Sequence, residues 1–436
     1  MNTLNTFLLF ISCSFFCFKP QSISAQNNLN SYIPFKYTSE VSIKEEEPGE
    51  QALDRIINLQ KELSSLDKEE IKFWNSAYPN YRWHQLLMDI SHAHKGHKNG
   101  ARVVIMHLAI YDALATISNY STERTSKRPF KLHPDVKLFT KNTSTSSLCE
   151  WSAAAGAATP IISYYFPDQS HKVDSCLQAF KLNRMRSGTH YANEINASIE
   201  VGKEIAAHYI AYAKTDHTED IWTDDVPKGE NKWKGIPSKW DPMKAKWKAL
   251  TLDSNDQFRP GPPPSEWEAE MQELRDFQAN HKHSNIAWKW RSEPVWDDLL
   301  ERKILEYNLY PVEAAFASAL FHTARYDATI VAWDGKYHYW TIRPFQYDPE
   351  FKPYLIATPN FPGYPAGHTT VAGSVAEALS FLFPLDHREF ELHAEECSES
   401  RFEGGVHFRN DNEVGLEIGS QVGEFVINRF HELSPR

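Results

Sequence analysis

The sequence predicts an all-α protein, and three observations support that fold class. Residues 102–116 are apolar on nearly every side of a helix, as in a helix buried in a core. Ala-rich segments elsewhere alternate apolar and charged residues at helical spacing. Alternation with a period of two, which indicates half-buried strands, is scarce along the chain. We therefore expect a core built of helices.

Five further segments are predicted to be helices from the spacing of their apolar residues. They are residues 151–165, 193–213, 311–333, 368–383 and 413–430. The third opens with Pro311, which suits the first turn of a helix because its missing N–H needs no partner there. The fourth has apolar residues spaced by three and four and stops at Pro384, which is a helix stop signal.

The first 73 residues are predicted to lie outside this core. Residues 1–25 have an apolar centre followed by the small residues Ser24 and Ala25, which fits a signal peptide cleaved after Ala25. A lipoprotein signal with Cys13 as the lipidated residue and an amphipathic N-terminal anchor are the alternatives, and we favour cleavage. Residues 26–73 are polar with an acidic run, so we expect a loosely packed acidic leader.

Membrane spans and disulfides are not indicated in the rest of the chain. No later apolar run reaches the ~18–20 residues that spanning a bilayer requires. We therefore expect an exported mature protein, periplasmic or secreted, without a transmembrane helix. Cys149, Cys176 and Cys397 have no paired spacing, so neither a disulfide framework nor a zinc knuckle is indicated.

The overall charge of the chain narrows its possible partners. The 436 residues carry a net charge of −11, which argues against nucleic acid, since affinity for a phosphate backbone comes from clustered Lys and Arg. A negative surface does not attract an anion at long range, so an anionic substrate requires a local positive pocket. The sequence leaves the oligomeric state open.

The remaining chain divides into an N-terminal helical part, residues 74–300, and a C-terminal helical part, residues 301–436. Residues 219–267 interrupt the first part with prolines, lysines and five tryptophans. Proline at this density prevents regular backbone hydrogen bonding and predicts a long ordered loop. Basic residues interleaved with aromatic ones can also bind single-stranded nucleic acid. We favour an aromatic-anchored loop packed over helices.

The C-terminal part carries three short signatures that suit an anion. The first places Lys336 seven residues before Arg343, which is followed by Pro344. In a helix, this separation would put both cations on one face, about 10 Å apart along the axis. Pro344 disfavours the helical conformation at Arg343, so this arginine is predicted to end the helix and face the site. A pair of surface cations is the alternative explanation.

The second signature is Pro365-Ala366-Gly367-His368, which leads into the predicted helix 368–383. Gly367 has no Cβ, so its N–H can approach an anion closely. The first N–H groups of a helix are free to donate, and the helix dipole favours negative charge there. His368 can exchange protons beside that anion near neutral pH. A histidine that caps a helix is the alternative.

The third signature is Ser400-Arg401, followed after five residues by His407 and after three more by Asp411. Arg401 has a planar, permanently charged guanidinium that suits two contacts with an oxyanion. Asp411 is placed to accept from one ring nitrogen of His407, which leaves the other nitrogen as a ligand or nucleophile. The alternative is a surface arginine beside an ordinary histidine–aspartate pair.

The order and spacing of these signatures resemble the pattern Lys-x6-Arg-Pro, Pro-Ser-Gly-His, Ser-Arg-x5-His-x3-Asp. It belongs to the vanadium-dependent haloperoxidases and the type-2 phosphatidic-acid phosphatases, which include soluble bacterial acid phosphatases. The resemblance covers roughly residues 74–430 and is to the exported bacterial haloperoxidase-type members. It implies a helical bundle with the site at its end. Ala366 departs from the family serine, which removes one hydrogen bond worth ~1.5–3 kcal/mol with a charged partner.

For a haloperoxidase, the resemblance implies a vanadate cofactor ligated by His407, whose partner is Asp411. The vanadate oxygens would be held by Lys336, Arg343, Gly367 and Arg401. Lys336 would polarise bound peroxide and His368 would manage its protons, so that a halide is oxidised. Trp333 and Phe361 resemble the halide-pocket aromatics of chloroperoxidase-type members, with simple core packing as the alternative.

For a phosphatase of the same superfamily, the resemblance implies no cofactor. His407 would attack the phosphorus of a phosphate ester to form a phosphohistidine, and His368 would protonate the leaving alcohol. A non-catalytic protein that binds phosphate or vanadate is a third hypothesis, but it would not need His368 and Asp411 both in register. We favour the haloperoxidase, with hydrogen peroxide and a halide as substrates.

Overall fold

The fold is built from helices, as the sequence predicts. The computed structural model describes residues 35–37, 50–94, 99–121, 128–140, 148–292, 294–353 and 356–431. The only β-pairing within these residues is an isolated antiparallel bridge between Lys232 and Thr341. The predicted signal peptide, residues 1–25, lies outside the described residues.

The helices fall into two groups, before and after residue 310. Those before residue 310 are α1 (Glu50–Gln60), α2 (Ser65–Asn75), α3 (Tyr81–His94), α4 (Asn99–Ser121), α5 (Pro129–Leu132), α6 (Glu150–Tyr165), α7 (Ser170–Arg186), α8 (Ala192–Ala213), α9 (Glu268–Asp276), α10 (His281–Ser292) and α11 (Val295–Glu306). Those after it are α12 (Pro311–Tyr339), α13 (Pro344–Tyr347), α14 (Gly367–Leu382), α15 (His387–Glu403) and α16 (Arg409–His431). Short 3-10 helices occupy Pro167–Gln169, Pro242–Lys246 and Pro384–Asp386.

The predicted leader, residues 26–73, is described mainly over its second half, and that half is more ordered than its polar composition suggested. Its second half forms α1 and most of α2, and each of these helices buries an isoleucine, Ile56 and Ile71. Ser64 begins α2 with a capping box, because its hydroxyl accepts from the Asp67 N–H while the Asp67 carboxylate accepts from the Ser64 N–H. Amphipathic spacing therefore outweighs the high charge of this segment.

Two sets of three helices form the core. Helices α4, α6 and α8 pack on one another, as do α12, α14 and α16, and α4 packs against α12 between the two sets. In both sets the last two helices approach closely at glycines. A Cβ on Gly156 of α6 would lie 2.1 Å from the Ile199 carbonyl oxygen, and one on Gly419 of α16 would lie 2.2 Å from the Thr370 carbonyl oxygen. Only glycine permits either contact.

The central helices α4 and α12 share a sequence pattern, His-x3-Tyr-Asp-Ala, which begins at His107 in one and at His322 in the other. Each pattern contributes a fully buried carboxylate that fastens a non-helical segment to its helix. Asp112 accepts from the N–H groups of residues 35–37. Asp327 accepts from the Leu250 N–H at 2.9 Å and the Thr251 N–H at 2.9 Å. The loop 219–267 is thereby held against α12.

One helix among the described residues is long and apolar enough to span a membrane, judged by length and composition. This helix is the Gly100–Tyr120 part of α4, with a mean hydropathy of 1.4. The result differs from the expectation that no segment after the signal passes that test. Its neighbours α6, α8 and α12 explain the apolar sequence, because 89% of the window is buried inside the fold.

Candidate active site

Lys336 and Arg343 lie on different elements, so the expectation of one shared helix face is wrong. Helix α12 continues beyond the predicted end at residue 333 to Tyr339, which places Lys336 in its last turn. Trp340 then adopts a left-handed conformation with φ 53°, which stops the helix. Arg343 does not end α12 but precedes Pro344, the first residue of α13. The two cations nevertheless point into one site.

Buried carbonyl oxygens hold both cations in place. The Lys336 Nζ donates to the carbonyl oxygens of Pro362 at 2.9 Å and Gly363 at 2.5 Å. The Arg343 guanidinium donates to the Phe361 carbonyl at 3.0 Å and to the Val406 carbonyl at 2.6 Å. The segment around residue 362 is therefore fastened to the end of α12, and Val406 is fastened to the start of α13. Backbone carbonyls have no sequence signature, so sequence reasoning missed these partners.

His407 and Asp411 form the predicted pair. The His407 Nδ1 lies 2.9 Å from the Asp411 Oδ2, while its Nε2 lies 3.0 Å from the Arg343 Nη1. Because the Arg343 nitrogen can only donate, we assign the ring proton to Nδ1 and the lone pair to Nε2. Burial, followed by the nearby positive charges, lowers the pKa of His407 well below its ordinary value. The ring is therefore neutral, and its Nε2 accepts from Arg343 in the anion-free site.

Gly367 and His368 open α14 beside Lys336. A Cβ on Gly367 would lie 3.0 Å from the Trp333 ring and 3.4 Å from the Lys336 Cε, so a side chain would crowd the cation. Unlike the buried Lys336 and Arg343, His368 is exposed. The surrounding protein and then the charges of Arg401, Lys336 and Arg343 lower the pKa of His368 to about 3. Its ring is therefore neutral at neutral pH.

Arg401 reaches the same site from the last turn of α15, where it is buried. Its Nη2 donates to the Ala287 carbonyl at 2.8 Å, and its Nε donates to the Ser400 hydroxyl at 3.1 Å. Its charge lowers the pKa of both His368 and His407. Helix α10, which carries Ala287, therefore positions this arginine, a contact that the sequence did not indicate.

Trp333 and Phe361, the predicted halide-pocket aromatics, lie side by side with ring centroids 5.4 Å apart. The Lys336 Nζ lies 5.3 Å from the centre of the Phe361 ring. On its other side, Trp333 packs under Lys244, whose Nζ lies 4.5 Å from the indole. The indole N–H of Trp333 is buried and finds no hydrogen-bond partner in the described part of the chain. Trp333 and Phe361 thus lie beside the cations, and the indole N–H of Trp333 is unpaired among the described residues.

The charge of this cluster fits a bound oxyanion such as vanadate or phosphate. Three cations, Lys336, Arg343 and Arg401, face one carboxylate, Asp411. Burial lowers the pKa of Lys336 well below its ordinary value and that of Arg343 to about 10. Such shifts mean that burial disfavours these positive charges more than Asp411 stabilises them, so the site gains from further compensation. A multiply charged anion would supply it, so these residues fit vanadate.

The N-terminal half repeats the spacing of this site at corresponding places. Arg128 precedes Pro129 at the start of α5, as Arg343 precedes Pro344 at the start of α13. Arg184 near the end of α7 is followed after five residues by His190 and after three more by Glu194. Gly188 with φ 80° and Gly405 with φ 72° make the same left-handed turn before the two histidines.

One family model and several solved structures are similar to this chain. Residues 383–435 match the family model described as the VCPO second helical-bundle domain. A bacterial vanadium-dependent iodoperoxidase structure is similar with a TM-score of 0.60 and 22% identity over 90% of this chain and 100% of that chain. Curated protein sequences gave no match.

Two structures of bacterial vanadium-dependent chloroperoxidase are also similar. The holo form has a TM-score of 0.57 and 15% identity over 76% of this chain and 90% of that chain. The apo form has a TM-score of 0.58 and 13% identity over 77% of this chain and 93% of that chain. The chain therefore has the helical fold of these vanadium-dependent haloperoxidase structures, as the resemblance predicts, and residues 383–435 match the model of the second helical-bundle domain.

Proposed function

We propose that the protein is a vanadium-dependent haloperoxidase that oxidises a halide with hydrogen peroxide. One observation carries the proposal: three buried cations converge on a neutral histidine that is oriented by a buried aspartate. The cations are Lys336, Arg343 and Arg401. The orienting contact joins the His407 Nδ1 to the Asp411 Oδ2 at 2.9 Å. This arrangement suits an oxyanion that also needs one imidazole ligand.

The residues that would hold vanadate are those whose donor or acceptor atoms face the site. His407 offers Nε2 as the ligand, because Asp411 accepts the proton of Nδ1. Oxygens of the anion would accept from Lys336, Arg343, Arg401 and the N–H of Gly367 at the start of α14. Bound vanadate supplies a Lewis acid that activates peroxide without changing its own oxidation state.

His368 is the proposed proton carrier of the reaction. Its ring is exposed, adjoins the cations, and is neutral because its pKa is lowered to about 3. A neutral ring can accept a proton from incoming hydrogen peroxide. The bound anion offsets the charges of Arg401, Lys336 and Arg343, which raises the pKa of His368 and lets the ring retain that proton until it is returned. Neither step requires His368 to contact the metal.

The aromatic pair favours a halide over a phosphate ester as the second substrate. Trp333 and Phe361 make one wall of the site apolar. A weakly hydrated anion with no directional hydrogen bonds, such as bromide or iodide, tolerates an apolar wall. A phosphate ester would need further polar partners for its leaving group.

Acid phosphatase activity is the second candidate. The oriented His407 is also what phosphoryl transfer through a phosphohistidine requires, because its Nε2 lone pair could attack phosphorus. His368 would then have to protonate the leaving alcohol, which its lowered pKa opposes until the substrate anion is bound. A non-catalytic binding protein would use the cations alone.

The decisive experiment compares two assays on one preparation of purified protein. We expect bromide- or iodide-dependent consumption of hydrogen peroxide that appears after vanadate loading and is absent without it. Phosphate release from an ester without any peroxidase activity would overturn the proposal in favour of the phosphatase. A protein that binds vanadate and performs neither reaction would support the binding-protein hypothesis.

Binding itself is measured independently of turnover by thermal unfolding. A ligand that binds only the folded state stabilises it by about 2.7 kcal/mol when its concentration is 100 times Kd. We therefore expect vanadate to raise the unfolding temperature by several degrees, and phosphate to compete. Arg343→Gln should remove this rise, because Arg343 is one of the cations that would hold the anion.

Export is a further proposal, tested by whether the N-terminus of protein recovered outside the cytoplasm begins after Ala25.

A further inference from the structure

Three histidines that the anion site does not use meet where the two helical sets join. They are His84 of α3, His107 of α4 and His322 of α12. One ring nitrogen of each lies within 4.8 Å of one ring nitrogen of the other two. The His84 Nδ1 lies 2.9 Å from the His107 Nε2, and the His107 and His322 rings stack with centroids 4.4 Å apart. We call these three residues the histidine cluster.

The nitrogens of the histidine cluster are available as ligands. Burial lowers the pKa of all three rings, and well below the ordinary value for His107 and His322, so the rings are neutral. His322 is only 4% exposed and lies against both other rings, with centroids 4.4 Å from His107 and 5.7 Å from His84. Imidazoles gathered in this way from three helices are ligands that a transition metal uses.

Asn80 provides the support that a metal-bound histidine usually has. This fully buried residue places its Nδ2 3.2 Å from the His107 Nδ1, and its Oδ1 has no partner in the described ranges. Turning the amide over would replace the donation from the Asn80 Nδ2 to the Ser318 hydroxyl at 2.9 Å, and it would let Oδ1 accept a proton from the His107 Nδ1. That tautomer leaves the His107 Nε2 free to bind a metal. In a metal-binding histidine, the ring nitrogen that does not bind the metal commonly donates its N–H to an oxygen such as a carbonyl.

The distances are compatible with one ion after small side-chain rotations. A transition metal binds imidazole nitrogen at about 2.0–2.1 Å, so ligand atoms in a tetrahedral site are roughly 3.4 Å apart. The closest pair of the histidine cluster must open slightly from 2.9 Å, and the widest separation must close from at most 4.8 Å. Movements of about 1 Å accomplish both, and all three residues lie on long or well-packed helices.

A cavity gives the cluster an open side and compensating charge. His84 and His322 line a cavity of about 920 Å³, whose wall also carries Asp297, Asp298 and Glu301. The Asp297 carboxylate is close enough to raise the pKa of His84 and His107, opposing the effect of burial. Its own partner is Arg325, with both oxygens 2.8 Å from the Arg325 Nη1. The carboxylates offset the charge of a divalent cation, and the cavity admits a fourth ligand.

We propose that His84, His107 and His322 bind one divalent transition-metal ion of the zinc or copper type, with a fourth coordination position open to the cavity. Imidazole ligands select these metals, whereas magnesium and calcium require oxygen ligands. The site lies on α3, α4 and α12 and shares no residue with the vanadate site. Its existence therefore does not depend on the proposed haloperoxidase activity.

The test is a Zn²⁺ titration of the metal-free protein by calorimetry, in buffer without vanadate. We expect one Zn²⁺ per chain, and a loss of affinity of more than about 100-fold in His322→Gln, since even supporting residues are worth 10–100-fold. The control is His338→Gln, which changes an exposed histidine of the same helix and should bind Zn²⁺ like the unaltered protein. No binding, or equal affinity in both variants, would overturn the proposal.

X-ray absorption at the zinc edge of the unaltered protein decides the matter if His322→Gln does not fold. The expected spectrum has three imidazole nitrogens at about 2.0–2.1 Å. A shell of oxygen ligands alone, or a number of imidazoles other than three, would contradict the assignment.

Discussion

The two helical sets place the same residue types at corresponding positions, but they use them differently. In the C-terminal half, Asp411 orients His407 and leaves Arg343 to contact the histidine Nε2. In the N-terminal half, Glu194 takes the place of the aspartate and reaches Arg128 instead, at 3.3 Å. One additional methylene thus redirects the carboxylate from the histidine to the arginine.

The first turns of α6 and α14 show a second difference. Helix α14 begins with Gly367 and His368, whereas α6 begins with Glu150 and Trp151. The residue at the glycine position therefore brings its own carboxyl group, and burial raises the pKa of Glu150 to about 7. The residue at the His368 position is an indole that cannot carry a proton in catalysis.

Arg184, the counterpart of Arg401, contacts three side chains of the N-terminal half. Its Nη1 donates to the Asn75 Oδ1 at 2.6 Å and its Nε to the Cys149 Sγ at 3.1 Å. The Trp151 ring lies 4.7 Å from the Arg184 guanidinium. The N-terminal repeat thus sets two arginines, Arg128 and Arg184, beside two carboxyl groups, whereas the C-terminal site sets three cations beside Asp411 alone. An excess of positive charge is what a bound anion would offset.

Replacing the two corresponding histidines should give the largest difference between the halves. His407→Ala should lower activity at least about 1,000-fold, because it removes the ligand or nucleophile. His190→Ala removes the buried counterpart and should lower stability by about 1–3 kcal/mol while leaving activity intact. Specific activity and thermal unfolding of both variants measure this. A fully active His407→Ala would contradict the role of His407.

Replacing Gly367 with glutamate, the residue type at the corresponding position of α6, should prevent vanadate binding at the C-terminal site. Gly367→Glu adds a side chain 3.0 Å from Trp333 and a negative charge beside Lys336. Like-charge repulsion of several kcal/mol should weaken vanadate affinity by at least about 100-fold. The control is Glu150→Gln, which changes the charge at the corresponding position of α6. Calorimetry should find its vanadate affinity unchanged, and any comparable loss there would refute the distinction between the halves.

The pKa of His368 should report on the positive charge of the neighbouring Arg401, Lys336 and Arg343. In the anion-free protein its ring should stay neutral between about pH 5 and pH 8, because its pKa is lowered to about 3 by the surrounding protein and then by Arg401, Lys336 and Arg343. Vanadate or phosphate offsets those charges, so its pKa should rise by about one pH unit or more. Imidazole ¹⁵N NMR measures this, with His368→Gln to identify the signal. An anion-free pKa near 6.5 would be inconsistent with this electrostatic picture.

Restoring the family serine should have the smallest effect. Ala366 is the N-cap of α14 and makes no capping hydrogen bond, so Ala366→Ser should stabilise the helix by about 0.5–2 kcal/mol. The hydroxyl can also donate to the bound anion, which should raise vanadate affinity by up to about tenfold. Cys149→Ser makes the corresponding change at the N-cap of α6 and should leave vanadate affinity unchanged. A lower affinity for Ala366→Ser would exclude that hydrogen bond.

Local features of the site were predictable, whereas its contacts were not. The helix 311–333 was placed correctly but ends six residues later, because the left-handed Trp340 rather than a proline or glycine stops it. The His407–Asp411 contact followed from spacing alone, since four residues bring the side chains together at the start of α16. Arg401, by contrast, is held by Ala287, a residue more than a hundred positions away.

The sequence by itself determined the helical class, the three anion-binding signatures and the pairing of His407 with Asp411, because these depend on interactions within one or two turns of chain. The tertiary structure alone decided that Lys336 and Arg343 approach from different helices, that His368 is neutral, and that Glu194 serves Arg128. It also brought His84 to His107 and His322. These properties depend on burial and on charges from several helices, and no local spacing records what the rest of the fold places around a side chain.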